Sequence, residues 1–265
     1  MNFFNNKNFN LEDIAKSNQS EYTNGDPFPH IVFDNFFNNE ILEKIITEFP
    51  NNLEKIGKVY NNKVEKKLSL NKSELLSSET NNFLNFLNSQ IFINFLQSIT
   101  SIKEKLIPDP YLLGGGLHEL RIGGYLNIHS DFNKHPSMKL DRRLNVLIYL
   151  NKNWNPTYGG SLELWDKKME KCKKKILPIF NRMVIFSTND FSYHGNPEKV
   201  NCPDNESRKS IAMYYYTNGR PLNEIALGNH STIFRKRPKI DEPDGEIKFK
   251  KLFGQLYLRK KNKIK

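Results

Sequence analysis

Cysteine is almost missing from this 265-residue chain, and so is any long apolar run. Cys172 and Cys202 form no C-x-x-C pair and are too few to staple a chain of this length. That excludes a disulfide scaffold and leaves reduced thiols and a cytoplasmic location as the expectation. No segment approaches the ~20 apolar residues that a membrane-spanning helix needs. Met1 to Asn10 holds Phe3 and Phe4 but no continuous apolar stretch, so it does not read as a secretory signal. No internal repeat is present. Acidic residues are also in short supply: 29 Asp and Glu stand against 40 Lys and Arg, for a formal net charge of +11. Such a balance can serve nucleic acid, an anionic membrane surface or acidic substrates. The lysines are scattered, however, with clusters only at Lys171 to Lys175 and Lys248 to Lys265. No aromatic RNP pattern or zinc-finger spacing accompanies them. They read as solvated surface, and nucleic acid is not the expected partner.

What is present suffices for a packed core. Hydrophobic residues make up 37 % of the chain, and its 19 Phe argue against disorder. The abundant Asn and Lys run through patterned segments and read as coding bias. Residues 1–110 are mainly helical in pattern. Leu11 to Ala15 is weakly helical, Gly25-Asp26-Pro27 is a turn, and Phe28 to Phe33 reads as a strand. Asp34 or Asn35 caps a helix carrying Ile41, Leu42, Ile45, Ile46 and Phe49. Residues 53–72 read as a loop with one short strand, and Asn71 to Ser78 as a short helix. Thr80 caps a longer helix with an apolar stripe of Phe83, Phe86, Leu87, Ile91, Phe92, Phe95 and Leu96, running to Ser98. A second short helix spans Ser101 to Leu106, and Pro108 and Pro110 close the region.

Residues 111–217 change character. Short β-like runs are predicted at Leu117–Arg121, Tyr125–Asp131, Leu144–Leu150, Ser161–Trp165, Lys175–Ile179, Met183–Ser187 and Ser210–Tyr216. Strands so spaced, with no long helix between them, suggest an antiparallel barrel or jelly roll. Residues 218–265 form a basic C-terminal extension in which Leu252, Phe253, Leu256 and Tyr257 suit a short amphipathic helix. No linker divides the chain, so residues 1–265 read as a single α+β domain with helices packed on one sheet.

His129-Ser130-Asp131 is the feature with chemistry in it. Residues two apart on a strand share a face, so both side chains aim the same way, into the lumen of a barrel. His194 lies in a later run, and Gly195-Asn196-Pro197 makes a turn that can fix its ring. Two imidazoles and a carboxylate are the facial ligand set of non-haem Fe(II) oxygenases. With six His in the chain, a stray H-x-D has about even odds on composition alone, so the context carries the reading. Arg208 and Ser210 also share a face; the guanidinium can fork a carboxylate and the hydroxyl can add a third bond. Tyr149 can donate its phenol to the same group. Arg142, Arg143 and Lys209 are alternative cations, read as surface or structural. His118 can line the same lumen as a substrate contact. His135 reads as a loop residue, His30 and His230 as structural or exposed.

These residues resemble the Fe(II)/2-oxoglutarate-dependent oxygenases of the prolyl 4-hydroxylase-like type. The matching segments are Gly123-Gly124-Tyr125 into His129-x-Asp131, then Arg143 to Asn151, Trp154, Gly159-Gly160-Ser161-Leu162-Glu163-Leu164, Asn181 to Phe186, His194 and Arg208-x-Ser210. Pro27-Phe28-Pro29-His30 through Phe37 resembles the entry segment of such proteins, and the tail after Tyr216, with His230-Ser231-Thr232, a bacterial or phage subgroup. The resemblance covers roughly residues 27–217. It implies a double-stranded β-helix, a jelly-roll, cupin-like barrel with supporting N-terminal helices. It implies His129, Asp131 and His194 as ligands of Fe(II). Arg208 then anchors the C5 carboxylate of 2-oxoglutarate, with Tyr149 beside it. The implied activity is a dioxygenase reaction with O2 that hydroxylates a C–H bond and releases succinate and CO2, with ascorbate as an optional reductant. Where some prolyl hydroxylases place another Tyr before the Gly-rich turn, this chain has Leu120-Arg121-Ile122, which implies a co-substrate pocket completed differently.

The implied substrate is a prolyl or other peptide residue, or a small metabolite or glycan. The loop from Phe132 to Asp141, with Lys134, Lys139, Asp141 and then Arg142, points to a polar or anionic one. Val146, Ile148 and Ile185 are the expected apolar lumen residues. The competing reading is a cupin-type metal- or ligand-binding protein without oxygenase activity, and Arg208 discriminates, because a cupin site has no need of it.

Overall fold

Side-chain oxygens of Asn and Ser start the longer helices. The computed structural model describes residues 2–5, 10–224 and 228–246. In it Asn10 caps α1 (Leu11–Thr23) and Asn38 caps α2 (Asn39–Thr47). A single turn, α3 (Leu53–Ile56), follows. Ser77 caps α4 (Ser78–Leu87) and Ser89 caps α5 (Gln90–Thr100). Each cap oxygen accepts a backbone N–H that the first turn leaves unpaired, an interaction whose loss costs about 1 kcal/mol.

These caps correct several expectations. The cap of α2 is Asn38, not Asp34 or Asn35; Asn35 takes a left-handed φ of 54° in the turn before it. The long helix expected from Thr80 to Ser98 is two, broken at Asn88, because Ser89 bonds the backbone of the next segment instead of continuing the first. The break rephases the stripe and leaves Ile91 64 % exposed. The expected helix from Ser101 to Leu106 is absent, since Ser101 turns left-handed and ends α5. Asn71 to Ser78 holds only a 3-10 turn, Ser73–Leu75.

The strands are β1 (His30–Asp34), β2 (Lys58–Asn61), β3 (Glu65–Leu70), β4 (Ile107–Pro108), β5 (Gly116–Leu120), β6 (Tyr125–Ser130) and β7 (Asp141–Tyr149). They continue as β8 (Leu162–Trp165), β9 (Cys172–Ile176), β10 (Arg182–Ser187), β11 (His194–Asn196), β12 (Arg208–Thr217), β13 (Ile233–Phe234) and β14 (Gly245–Glu246). The seven runs expected in residues 111–217 all form, with β9 beginning three residues early. Residues 53–72 hold two strands and a helical turn where one strand was expected. β11 was read as a turn, and β13 and β14 lie in the expected tail. The amphipathic segment at Leu252 to Tyr257 lies outside the described residues.

Pairing is antiparallel throughout the path β1-β10-β7-β12-β5-β3-β6-β11-β8-β9. β3 joins two walls: Leu68 to Leu70 pair with β5, while Glu65 and Lys66 pair with β6. The result is the expected double-stranded β-helix. Alternation along the strands separates two cores. From β7, Leu144, Val146 and Ile148 meet the helices, together with Leu150 just after it and Met183 and Ile185 of β10. The opposite face sends Leu147 and Tyr149 inward with Leu162, Leu164, Val184 and Phe186. Val146, Ile148 and Ile185 therefore back the barrel and do not line its lumen; Leu147, Val184 and Phe186 take that place. No helix among the described residues is long and apolar enough to cross a membrane.

The helix break gives a direct test. Phe37 is fully buried against Phe36 and Phe83. Phe37→Ala should cost about 3–5 kcal/mol through the cavity it leaves, read as a lower midpoint in thermal unfolding. Ile91→Ala should change stability by no more than about 0.5 kcal/mol. A large loss at Ile91 would restore the single buried stripe.

Candidate metal centre and anion pocket

Strand register builds the centre. His129 on β6 faces His194 on β11 as direct cross-strand partners, and their ring centroids lie 4.5 Å apart. Asp131 follows two residues after His129, with Oδ1 3.6 Å from His129 Nε2 and Oδ2 3.4 Å from His194 Nε2. One potential ligand atom from each residue lies within 4.8 Å of the others. His129 Nδ1 donates to the Asn127 carbonyl at 2.9 Å, and His194 Nδ1 to the Ser192 carbonyl at 2.8 Å. A carbonyl only accepts, so both Nδ1 atoms carry the proton and both Nε2 lone pairs face the cluster. Burial pushes the His194 imidazole down to about 4, against the pull of Asp131, so the ring stays neutral at ordinary pH. Two imidazoles and one carboxylate, converging on one point, fit a divalent metal ion.

Asp131 is itself held. Its Oδ2 accepts from Arg142 Nη2 at 3.0 Å and from Asn145 Nδ2 at 2.8 Å. Asn145 Oδ1 in turn accepts from Arg142 Nε at 3.0 Å and Nη2 at 2.8 Å. The guanidinium stacks on Tyr214 at 3.5 Å and Phe132 at 4.5 Å. Burial, the largest single influence, would raise the Asp131 carboxyl; Arg142, His194 and His129 together outweigh it and hold the group well below the ordinary carboxylate range. Arg142, read as a surface or structural cation, is structural in the strict sense: it is 2 % exposed and orients the cluster's only carboxylate.

The anion pocket opens into the same cavity, of about 640 Å³. Arg208 is buried, donates from Nε to the Gly160 carbonyl at 2.6 Å and lies 5.0 Å over the Tyr149 ring. No carboxylate of the described residues pairs with it. Burial lowers its pKa, with Tyr149 opposing, as expected for a cation awaiting an anion. The Tyr149 hydroxyl is buried with no hydrogen-bond partner among the described residues. Ser210 pairs across strands with Tyr149 and borders the cavity. Gly160 has φ +68°, and a Cβ there would sit 2.8 Å from Arg208 Cδ. Gly160 is thus what lets the Arg208 side chain pass.

The other expected residues separate clearly. His118 borders the cavity and bonds the Gly114 carbonyl at 2.9 Å. Arg143 pairs with Glu104 and Glu224, and Lys209 reaches Ser207; neither borders the cavity. His30 is buried against the Phe28 carbonyl. His135 lies in the loop between β6 and β7 as expected, but is buried, and its Nδ1 accepts from the Ser137 and Met138 amides. His230 borders the cavity, tied to Asp190 at 2.8 Å. In the entrance loop Phe132, Lys134 and Pro136 border the cavity, while Lys139 folds back on the Pro136 carbonyl.

Sequence reasoning missed Asn145, Asn196 and Phe234. Alternation could have found the first two, which sit two positions from Leu147 and from His194. Asn196 borders the cavity with an amide nitrogen unpartnered among the described residues. Phe234 lies 5.5 Å from the His129 ring because β13 pairs with β6, and nothing in a two-residue strand announces that.

The curled antiparallel barrel is a double-stranded β-helix, with a His-Asp-His cluster and a buried Arg bordering one cavity. Residues 115–216 match the family model of the 2OG-Fe(II) oxygenase superfamily. Mouse prolyl 3-hydroxylase OGFOD1 is 29 % identical over 79 residues, 28 % of this chain and 14 % of the relative, so the match spans about one seventh of that protein. A Pseudomonas putida prolyl-4-hydroxylase shares the fold with a TM-score of 0.56 at 12 % identity, over 77 % of this chain and 100 % of its own. A Trichoplax adhaerens prolyl hydroxylase, solved with a peptide fragment of the hypoxia inducible factor oxygen degradation domain, gives 0.56 at 18 % identity, over 83 % and 94 %.

Arg142→Met should leave the fold intact but weaken Mn(II) binding about 10–100-fold, the usual cost of losing a partner of a metal ligand. Calorimetric titration reads this, and an unchanged affinity would mean that Arg142 only packs. A second outcome concerns pH. Burial, helped by Lys67, pushes His118 down to about 3. The unfolded chain therefore binds a proton that the folded chain refuses, and stability falls as pH drops from about 6.5 toward 3. From pH 7 to pH 5 the loss should be at most about 2 kcal/mol, since the ring also borders cavity solvent. Urea unfolding of metal-free protein at both pH values should show His118→Gln losing less than the parent; an equal loss would assign the fall to other groups.

Proposed function

We propose that this protein is an Fe(II)- and 2-oxoglutarate-dependent dioxygenase that hydroxylates a C–H bond of a polar or anionic substrate, releasing succinate and CO2. The observation that carries the reading is Arg208, a buried cation without a described carboxylate partner, sharing one cavity with His129, Asp131 and His194. A cupin-type binding site has no use for it. The prolyl hydroxylase neighbours, one of them solved with a peptide, make a peptide residue the favoured target over a small metabolite or glycan.

In this reading His129 Nε2, His194 Nε2 and Asp131 hold the iron, and Arg208 forks the C5 carboxylate of 2-oxoglutarate. Ser210 and the unpartnered Tyr149 hydroxyl supply further donors to that carboxylate. Iron with bound 2-oxoglutarate supplies the oxidising power that places one oxygen atom of O2 on the substrate and the other in succinate. The chain's own part is orientation and exclusion. Arg142 and Asn145 fix the Asp131 carboxylate in one rotamer. The Nδ1–H bonds to Asn127 and Ser192 fix both rings. Leu147, Leu162 and Phe186 border the cavity as apolar walls that limit water near the metal.

Alanine at His129, Asp131 or His194 should abolish 2-oxoglutarate turnover. Arg208→Lys should weaken 2-oxoglutarate binding by about one to two orders of magnitude, because an ammonium lacks the planar fork. Anaerobic titration into Fe(II)-loaded protein, followed by the metal-to-ligand charge-transfer band, measures it. Binding as tight as the parent's would make Arg208 a structural residue and return the cupin reading.

A further inference from the structure

Five of the residues that border the cavity come from a segment that the oxygenase reading leaves without a role. β2 and β3 form a hairpin whose inward face alternates Lys58 and Tyr60 with Glu65, Lys67 and Ser69; all five border the cavity. Val59, Asn61, Lys66 and Leu68 face the other way, onto a separate shallow groove. Lys58 Nζ lies 4.5 Å and Lys67 Nζ 4.7 Å from the centroid of the Tyr60 ring, so two ammonium groups share one aromatic face system. Cross-strand pairing ties this wall to the anion pocket. Lys58 pairs with Ser69, Ser69 with His118, His118 with Ser210, and Ser210 with Tyr149. One polar row thus runs from the hairpin to the co-substrate anchor.

The hairpin is built as a fixed wall. Val64 at its turn is fully buried, and its carbonyl accepts the Asn127 amide at 2.8 Å. Asn62 receives the Val64 and Glu65 amides on its side chain and the Tyr125 hydroxyl on its carbonyl. Its charge is unbalanced. Lys67 stands 3.2 Å from Glu65, and Lys134, which also borders the cavity, 3.9 Å from Asp141. Lys58 pairs with no carboxylate of the described residues. Within the site Arg142 answers Asp131, an iron(II) ion and a 2-oxoglutarate dianion cancel, and Arg208 leaves one positive charge over. Lys58 adds a second unpaired positive charge bordering the same cavity, and low-dielectric walls concentrate the field. β2 also pairs only with β3, so among the described residues its outer edge is unbonded. An extended chain can lie along such an edge and place alternate side chains toward the cavity.

We propose that the β2–β3 hairpin is the substrate-recognition wall, and that it takes an acidic peptide whose carboxylates sit against Lys58 and Lys67 beside Tyr60. This rests on the hydroxylase reading and names its substrate class. The cations select, the edge strand aligns, and Lys134 adds a further cation to the same cavity.

The test uses the full chain loaded with Ni(II) and 2-oxoglutarate. Three rhodamine-labelled decapeptides are compared by fluorescence anisotropy: alternating Glu and Pro, its Gln/Pro twin and its Lys/Pro twin. The Glu peptide should bind about tenfold or more tighter than the Gln twin, and the Lys twin most weakly. Lys58→Glu, at an exposed position, should remove that preference, and Lys67→Gln should reduce it. Lys168→Glu with Lys171→Glu, on an exposed turn away from the cavity, should preserve it. Equal binding of the Glu and Gln peptides overturns the proposal, as does equal weakening by the Lys58 and the Lys168/Lys171 variants. Tighter binding of trigalacturonate than of the Glu peptide overturns the choice of a peptide. The charge-transfer band separates the two readings. A protein that shows the band but ignores peptide charge loses this inference alone. One that prefers the acidic peptide but shows no band loses the hydroxylase reading.

Discussion

The structure depends on one strand register, the pairing of His129 with His194 across β6 and β11. A shift of a single residue would send one imidazole to the opposite face of its strand. Gly195 holds the register: a Cβ there would lie 2.7 Å from the Asn127 carbonyl and 2.8 Å from the Leu126 carbonyl. The same Asn127 carbonyl receives the His129 Nδ1–H, so one peptide group serves both strand spacing and ring orientation. The cluster is thereby set by backbone geometry before any metal arrives, which is what pre-organisation of a binding site requires.

Electrostatics then decides how that cluster behaves. A buried carboxylate left alone would tend to keep its proton. Arg142 and the two imidazoles together outweigh that tendency, and Asn145 fixes the geometry of the Asp131–Arg142 pair by bonding both partners. At the other end of the cavity the arrangement is reversed, for Arg208 has been buried without a described countercharge. One end is satisfied and the other is not, so the cavity has a polarity along which an asymmetric dianion can bind in only one direction.

The barrel was legible in the sequence because its strands alternate strongly and are separated by Gly, Pro and Asn. The His-Asp-His cluster and Arg208 were legible through the two-residue spacing that puts side chains on one face. The direction of that face was not. Val146 and Ile148 look as suitable for a lumen as Leu147, and only the packing of α2, α4 and α5 on one side decides between them. The β2–β3 hairpin escaped for a related reason. Its strands, KVYN and EKKLSL, carry too many lysines to score as β, because their inward face meets a polar cavity and not a core. Ser89 hid the helix break, since a serine reads as neutral within a helix until its hydroxyl is seen capping the next one.

β3 belongs to both walls of the barrel at once. The rim of the cavity and the seam that closes the barrel are therefore one piece of chain. Gaping at this rim would mean parting ladder hydrogen bonds on two sides together. The doorway on this side behaves as a fixed gauge, and discrimination there falls to shape and charge at the threshold instead of to a closing motion.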